Sequence, residues 1–573
     1  MDTDPQGGDQ GLSPVFALAD RYIDQAAALD PILATSLGVL GYDDRMTDYS
    51  RAGIEQRAAL DRQTLVELAS LERLGPDDDL AAAYLAERLG TSMALVDADE
   101  PLRNINNLAS PIQAVRDVFD VMAYDSVSDW EIAARRMEAV PGALRGLRAT
   151  YEEGRARGLV AARRQALEAA EQASIWSGDR EQDPFFESLA ARADGTDGVG
   201  DALRTQLDVA AVAASMAYGE LADYLRDVYA PDANESDAVG AERYAMLARG
   251  FLGAEVDLAE AYAWGWDELG RIEADMLGEC AKIRPGASID ETVAWLETES
   301  DLVVDGEDAL RGWLQELMDT AIADLDGTHF DIAPPVRRVE AMIAPPGGAA
   351  AMYYTGPSED FSRPGRTWYP STGQTRFPLW GEVTTAYHEG VPGHHLQVAQ
   401  VVLQRDHLSR VQRMGFISGH GEGWALYAER LMDELGYLDR PEYRLGMLAA
   451  QALRAVRVII DIGMHLELEI PVEQPPSEAP FHPGVRWTAE LGRAFLYHRS
   501  RHPESFMSSE IVRYLGWPGQ AISYKIGERV WLEARADAEQ RHGADFDLKA
   551  FHAYALDLGP LGLDLLQTEL ARF

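Results

Sequence analysis

Apolar side chains recur every three to four residues over most of the first 330 positions, the spacing of helices that bury one face. The pattern predicts helices over 15–38, 53–74, 79–97, 111–138, 160–176, 199–229, 240–282, 289–300 and 306–326. These stretches are rich in Ala, Leu, Glu and Arg, which lose little side-chain freedom in a helix. Gly75-Pro76, Val140-Pro141-Gly142, Ala230-Pro231 and Arg284-Pro285-Gly286 read as breaks, because proline cannot donate to the helix ladder. The period changes over 335–380. Val336–Ile343, Ala351–Thr355 and Thr367–Tyr369 are short apolar and aromatic runs bounded by Gly and Pro, as strands are. Tyr353, Tyr354 and Tyr369 either line a cleft or pack in the core, and the Pro345-Pro346-Gly347-Gly348 turn lacks any phosphate-binding pattern. Helical spacing then returns, most plainly from Trp424 and over 447–470, followed by a Pro-rich connection at 471–483 and a later segment, 508–535, that holds Arg513, Tyr514, Tyr524 and Lys525.

Composition narrows the picture. A chain of 573 residues, 46% apolar and 25% charged, can bury a large core and is ordinary for a globular protein. The 95 acidic and 51 basic residues give a net charge of −44, which argues against nucleic acid or an anionic membrane surface as partner. Cys280 is the only cysteine, so no internal disulfide forms. Residues 1–13 are polar and acidic and no run of 18 apolar residues occurs, so the expected location is the cytoplasm. Histidine divides the chain most sharply. None precedes His329, and 11 of the 12 lie between His388 and His552, which puts the chemistry in the second half.

The densest chemistry is His388-Glu389-Gly390-Val391-Pro392-Gly393-His394-His395. In the HExxH pattern two histidines four apart share a helical face, bind zinc, and flank a glutamate that acts as base. Here Pro392 stands four after His388, and the next histidines come at plus six and plus seven. On an unbroken helix His394 would sit about 120° round and roughly 9 Å along the axis, too far to share an ion with His388. Pro392 forbids that helix, and Gly390 and Gly393 permit a detour. The expectation is an interrupted helix with a two-residue insertion, which favours His394 over His395 as the second ligand. The plainer alternative is a helix ending in a Gly-Pro loop whose histidines only pack.

A third ligand is sought in Gly419-His420-Gly421-Glu422-Gly423-Trp424-Ala425-Leu426-Tyr427-Ala428-Glu429-Arg430-Leu431, helical from Trp424. Glu422 is the candidate, and Glu429, seven residues on and on the same face, is placed to orient a ligand histidine. Without a metal, Glu422 would be a carboxylate favoured by a helix start. Arg454, Arg457, Asp461 and His465 form a polar stripe on an apolar helix, either an internal ion-pair network supporting the site or the wall of a wet cleft. Tyr524 is the expected oxyanion donor and Arg513 the expected cation for a substrate carboxylate.

The pair HEGVPGHHLQ and GEGWALYAERL resembles the hallmark of the bacterial domain of unknown function 885 family. The likeness continues through Arg454, Arg457, Asp461, His465, Arg513-Tyr514, Pro518-Gly519-Gln520 and Ser523-Tyr524-Lys525-Ile526-Gly527. That family is similar in fold to the carboxypeptidase Taq type of helical zinc metallopeptidases. The resemblance implies a zinc-dependent, peptidase-like enzyme and leaves its substrate unnamed.

The expected fold is mainly α: two helical lobes around a deep cleft, with a small β-sheet next to the metal-binding helix. Residues 1–14 are expected to be flexible and 15–573 to form one metallopeptidase-like domain. Its N-terminal lobe runs to about 330, and the metal-bearing part covers 331–573. One Zn²⁺ per chain is expected on His388, His394 and Glu422, with Glu389, Tyr524, His395 and Arg513 catalytic and a peptide or small amide as substrate. A non-peptide amidase or deacylase, or a peptide- or metal-binding protein without turnover, are the alternatives. The oligomeric state is open, a homodimer included.

Overall fold

The computed structural model describes residues 13–179, 183–344, 352–371, 373–475, 479–501 and 504–573, the side chains of 504–506 excepted. The expected flexible N-terminus lies almost wholly, and the Pro345–Gly348 turn entirely, outside them.

Helices make up most of the described chain, and two large cores hold them together. The first lies among helices Val127–Ala156, Arg163–Ser177 and Asp201–Tyr224, closed by Trp130, Met137, Leu147, Tyr151, Leu207 and Tyr218. The second gathers helices Ala241–Leu252, Leu258–Ile283 and Glu307–Leu325 with everything that carries the sequence motifs. The cores therefore divide near residue 235. Residues 241–325 pack with the motif-bearing half, although their sequence pattern is that of the first.

One expected break is absent, and two runs expected to be continuous are broken. Pro141 stays inside helix Val127–Ala156. Residues on both sides of it, Met137, Val140, Leu144 and Leu147, are buried in the first core, and that packing outweighs the ~3 kcal/mol a mid-helix proline costs. The helix expected over 111–138 is instead interrupted, with the long helix restarting at a Ser126–Asp129 capping box. The run 240–282 is likewise split at Gly253, whose φ of 60° is left-handed and whose Cβ would meet Gly562 at 2.3 Å.

Among the described residues, five short strands lie before the first motif: β1 Val303–Asp305, β2 Val339–Ile343, β3 Tyr353–Thr355, β4 Gly365–Tyr369 and β5 Arg376–Pro378. β1 and β5 form an antiparallel ribbon, and the other three form a sheet in the order β2-β4-β3, parallel then antiparallel. The side chain of Gln315 covers the β2 edge, accepting from Ala341 N at 2.9 Å and donating to Val339 O at 3.0 Å. β3 is the opposite edge.

Helix Pro441–His465 is buried along nearly its whole length and packs on Leu258–Ile283. A Cβ at Gly446 would lie 2.0 Å from the Trp380 carbonyl oxygen, so that helix touches the backbone leading into the first motif.

Candidate metal centre

The first motif is two helices. Glu382–Glu389 ends at Gly390, and His394–Leu403 begins after Pro392 and Gly393, with the Val391–Pro392 peptide cis. The detour is too tight for side chains. A Cβ on Gly393 would stand 2.0 Å from His388 O, and one on Gly390 would stand 2.6 Å from Ala386 O. New hydrogen bonds replace the broken ladder: Gly393 N donates to Tyr387 O at 3.0 Å and His395 N to Gly390 O at 3.1 Å. Trp424 Nε1, from the second motif, donates to Pro392 O at 2.9 Å. The result turns His394 back onto His388, their ring centroids 4.8 Å apart.

Helix Ser418–Glu434 carries the second motif. Its glycines permit a backbone crossing with helix Ser523–His542: a Cβ on Gly423 would meet Gly527 C at 2.4 Å, and one on Gly527 would meet Gly419 O at 2.0 Å. That crossing brings Tyr524 within electrostatic reach of Glu422. Sequence reading passed over these glycines, although their four-residue spacing signals a close helix contact.

One ligand atom from each of His388, His394 and Glu422 falls within 4.8 Å of the others. Glu422 Oε2 is 3.4 Å from His388 Nε2 and 3.4 Å from His394 Nε2. That oxygen is buried and accepts no hydrogen bond. Such an atom is costly unless something fills the space between the three donors. Two imidazoles and a carboxylate suit zinc and similar divalent ions. Glu429 Oε1 accepts from His388 Nδ1 at 2.8 Å, and its Oε2 accepts from Thr384 Oγ1 at 2.7 Å. The His388 tautomer is thereby fixed with Nε2 facing the cluster. Burial works against a proton on His388, but Glu422 and Glu429 outweigh it and raise its pKa to about 9. Burial pushes Glu422 up, yet the two histidines hold it well below the usual carboxylate range. The donor set attracts a cation.

Glu389 is buried next to the cluster, and desolvation raises its pKa while His388 and His394 oppose the rise. Tyr524 is half-buried, its ring 4.6 Å from the Arg457 guanidinium, and its hydroxyl has no hydrogen-bond partner among the described residues. Glu422 is among the charges that act on it.

Two expected participants are placed differently. His395 is fully buried, donating through Nε2 to Val336 O at 2.7 Å and accepting at Nδ1 from Tyr354 Oη at 2.9 Å. Both ring nitrogens are therefore engaged, and His395 has none to offer a substrate. It joins the sheet to the metal helix, since a Cβ on Gly365 in β4 would meet its Nδ1 at 2.5 Å. Arg513 donates to Glu510 at 2.8 Å and to Gln520 at 3.3 Å, so its charge is already answered. Arg457 shares Glu510 at 2.9 Å and binds Tyr514 Oη at 2.7 Å. Asp461 accepts from Tyr244 Oη at 2.6 Å and Gly519 N at 2.9 Å. The polar stripe is thus largely an internal network. Arg454 is its exception: it lies 3.9 Å from Glu429 and makes no hydrogen bond to a described residue. Lys525, also buried, is bound by Glu268 at 2.8 Å, Gln451 at 2.7 Å and Glu528.

The fold and site define a mainly helical protein in which three motif helices assemble a largely buried His-His-Glu cluster. The chain belongs to the bacterial family of proteins of unknown function known as DUF885, whose model matches residues 31–570. Among the solved structures that share the fold are two each described as a "putative lipoprotein". The one from Colwellia psychrerythraea is 22% identical, with a TM-score of 0.85 over 97% of this chain and 98% of its own. The one from Shewanella oneidensis, described as of unknown function, is 18% identical, with a TM-score of 0.74 over 96% and 99%. No curated protein matches the sequence. No described helix is long and apolar enough to cross a membrane.

Proposed function

We propose that this protein is a zinc-dependent hydrolase of peptide bonds, built like the carboxypeptidase Taq type, with one ion held by His388, His394 and Glu422. The supporting observation is the buried Glu422 oxygen, without a donor and 3.4 Å from each of two imidazole nitrogens. Three protein ligands are the number found in hydrolytic zinc sites, whereas structural sites use four. A zinc ion supplies Lewis acidity toward a water molecule and a substrate carbonyl. Glu389 accepts the proton of the attacking water and returns it to the departing amine. Burial helps in this, because desolvation raises the Glu389 carboxyl and so makes it a better proton acceptor than an exposed glutamate. Tyr524 donates its unengaged hydroxyl to the oxyanion. Glu429 holds His388 in the ligating tautomer, and His395 acts through the sheet it anchors.

Metal analysis of the purified protein should find about one zinc per chain. Glu389→Gln should keep that zinc while hydrolysis of a mixed peptide library, followed by product mass, falls at least about 100-fold. Turnover that survives Glu389→Gln would overturn the reading. We place the protein in the cytoplasm; the description of two structural neighbours as "putative lipoprotein" points the other way. Fractionation of the producing cell checks this, and recovery in the membrane pellet would overturn it.

A further inference from the structure

Arg454 sits on helix Pro441–His465 with its side chain 14% exposed. Its Nε is buried without a partner, and its nearest acid is Glu429 at 3.9 Å. Its neighbours are differently placed: Arg457 and Arg513 are hydrogen-bonded to Glu510, and further to Tyr514 and Gln520. A guanidinium carries five donors and stays charged at any pH a protein meets. Here Nε is shut away from water, while the terminal amino groups keep some exposure and hydrogen-bond to no described residue, so the charge is free to meet an arriving anion. The electrostatics of both Glu389 and Tyr524 include Arg454. The Arg457 guanidinium lies 4.6 Å from the Tyr524 ring, and Arg457, Arg513 and Arg454 all act on the Tyr524 hydroxyl against Glu422.

We propose that Arg454 binds a carboxylate on the amine-side residue of the scissile bond, so that the substrates are N-acylated amino acids with a free acid, whether the last residue of a peptide or a small acyl amino acid. The proposal rests on the hydrolase reading. Reach supports it. Arg454 to Glu429 is 3.9 Å and Glu429 to His388 is 2.8 Å. Adding the imidazole width and a Zn–N bond of about 2.1 Å puts the guanidinium at most about 11 Å from the ion. With its carbonyl oxygen at the ion, a substrate extends about 7 Å to the α-carboxylate of the next residue, and a hydrogen bond adds about 2.9 Å. A carboxylate one residue further along would need about 3.4 Å more and overshoots. The side-chain acid of an aspartate at that same position also falls within reach, so the test separates the two sources.

The test uses zinc-loaded Glu389→Gln protein and three probes measured by calorimetry: N-benzoyl-glycyl-leucine, its C-terminal amide, and N-benzoyl-glycyl-aspartic α-amide. The free acid should bind about 10- to 100-fold more tightly than its amide, the range for a hydrogen bond to a charged group. Adding Arg454→Met should make acid and amide bind alike, with zinc content unchanged. Tight binding of the aspartic α-amide would assign the side-chain carboxylate as the source. Equal binding of acid and amide with Arg454 intact, or a preference that persists in Arg454→Met, would overturn the proposal. Arg454→Gln repeats the measurement should the Met variant not fold. If the anchor discriminates but the wild-type protein hydrolyses none of the probes, the hydrolase reading fails and the anchor stands. Equal hydrolysis of acid and amide, unchanged by Arg454→Met, has the opposite meaning.

Discussion

The two cores bury polar groups in different ways. In the first, buried polar side chains answer to the backbone: Tyr151 Oη donates to Asn104 O and Tyr218 Oη to Ile112 O, each at 2.8 Å. Even the fully buried Arg136 is held by the carbonyls of Arg45, Pro31 and Tyr42 together with Thr35 Oγ1. In the second, ionisable groups face each other: His388 with Glu429, Arg457 with Glu510, and Lys525 with Glu268 and Glu528. Burying ions costs several kcal/mol each unless paired, and apolar replacements often fold as well or better. A neutral hydroxyl on a carbonyl carries no such penalty. Arg136 apart, the first core is scaffolding by this measure, and the second bears a charge load that packing alone does not need.

The largest effect should come from the cluster. His394→Ala should abolish stoichiometric metal binding, whereas His395→Ala should keep the metal. It should instead lose stability, about 1–3 kcal/mol for each of Val336 O and Tyr354 Oη left unsatisfied. Metal retained by His394→Ala would break the contrast between the two histidines. Next comes Glu429→Ala, which frees the His388 ring and should weaken metal affinity about 10- to 100-fold without moving the fold. An unchanged affinity in a competition titration with a chelator would return Glu429 to a packing role.

Acid should separate the cores further. Burial lowers His395 to about 4, His420 to about 3 and His552 to about 3, with only partial opposition from their hydrogen bonds. These groups are neutral when folded but take up protons when unfolded below about 6.5. The unfolded state then binds more protons, so stability is lost as pH falls from about 6.5 toward 4. His552→Asn should flatten that slope by one proton in denaturant titrations at stepped pH. An equally steep slope would locate the acid sensitivity elsewhere. The smallest effect belongs to the first core: Tyr218→Phe should cost about 1 kcal/mol and leave metal content untouched. A change in metal binding there would show the two cores to be coupled.

What the sequence by itself determined was local. Helical periodicity, the interruption at Pro392, the two-residue insertion that turns His394 toward His388, and the seven-residue spacing of Glu422 and Glu429 all follow from chain geometry over a turn or two. Tertiary structure decided whatever depends on a distant partner. Pro141 remains helical because the first core grips both of its sides, and Gly253 breaks a run because Gly562 lies against it. Nothing near His395 in sequence reveals the Val336 carbonyl and Tyr354 hydroxyl that occupy its ring. In sequence Arg513 reads as the anchor for a substrate carboxylate and Arg454 as one member of the polar stripe. Glu510 and Gln520 satisfy one and leave the other without a hydrogen bond, because a charge is answered by what folds beside it and not by its neighbours along the chain.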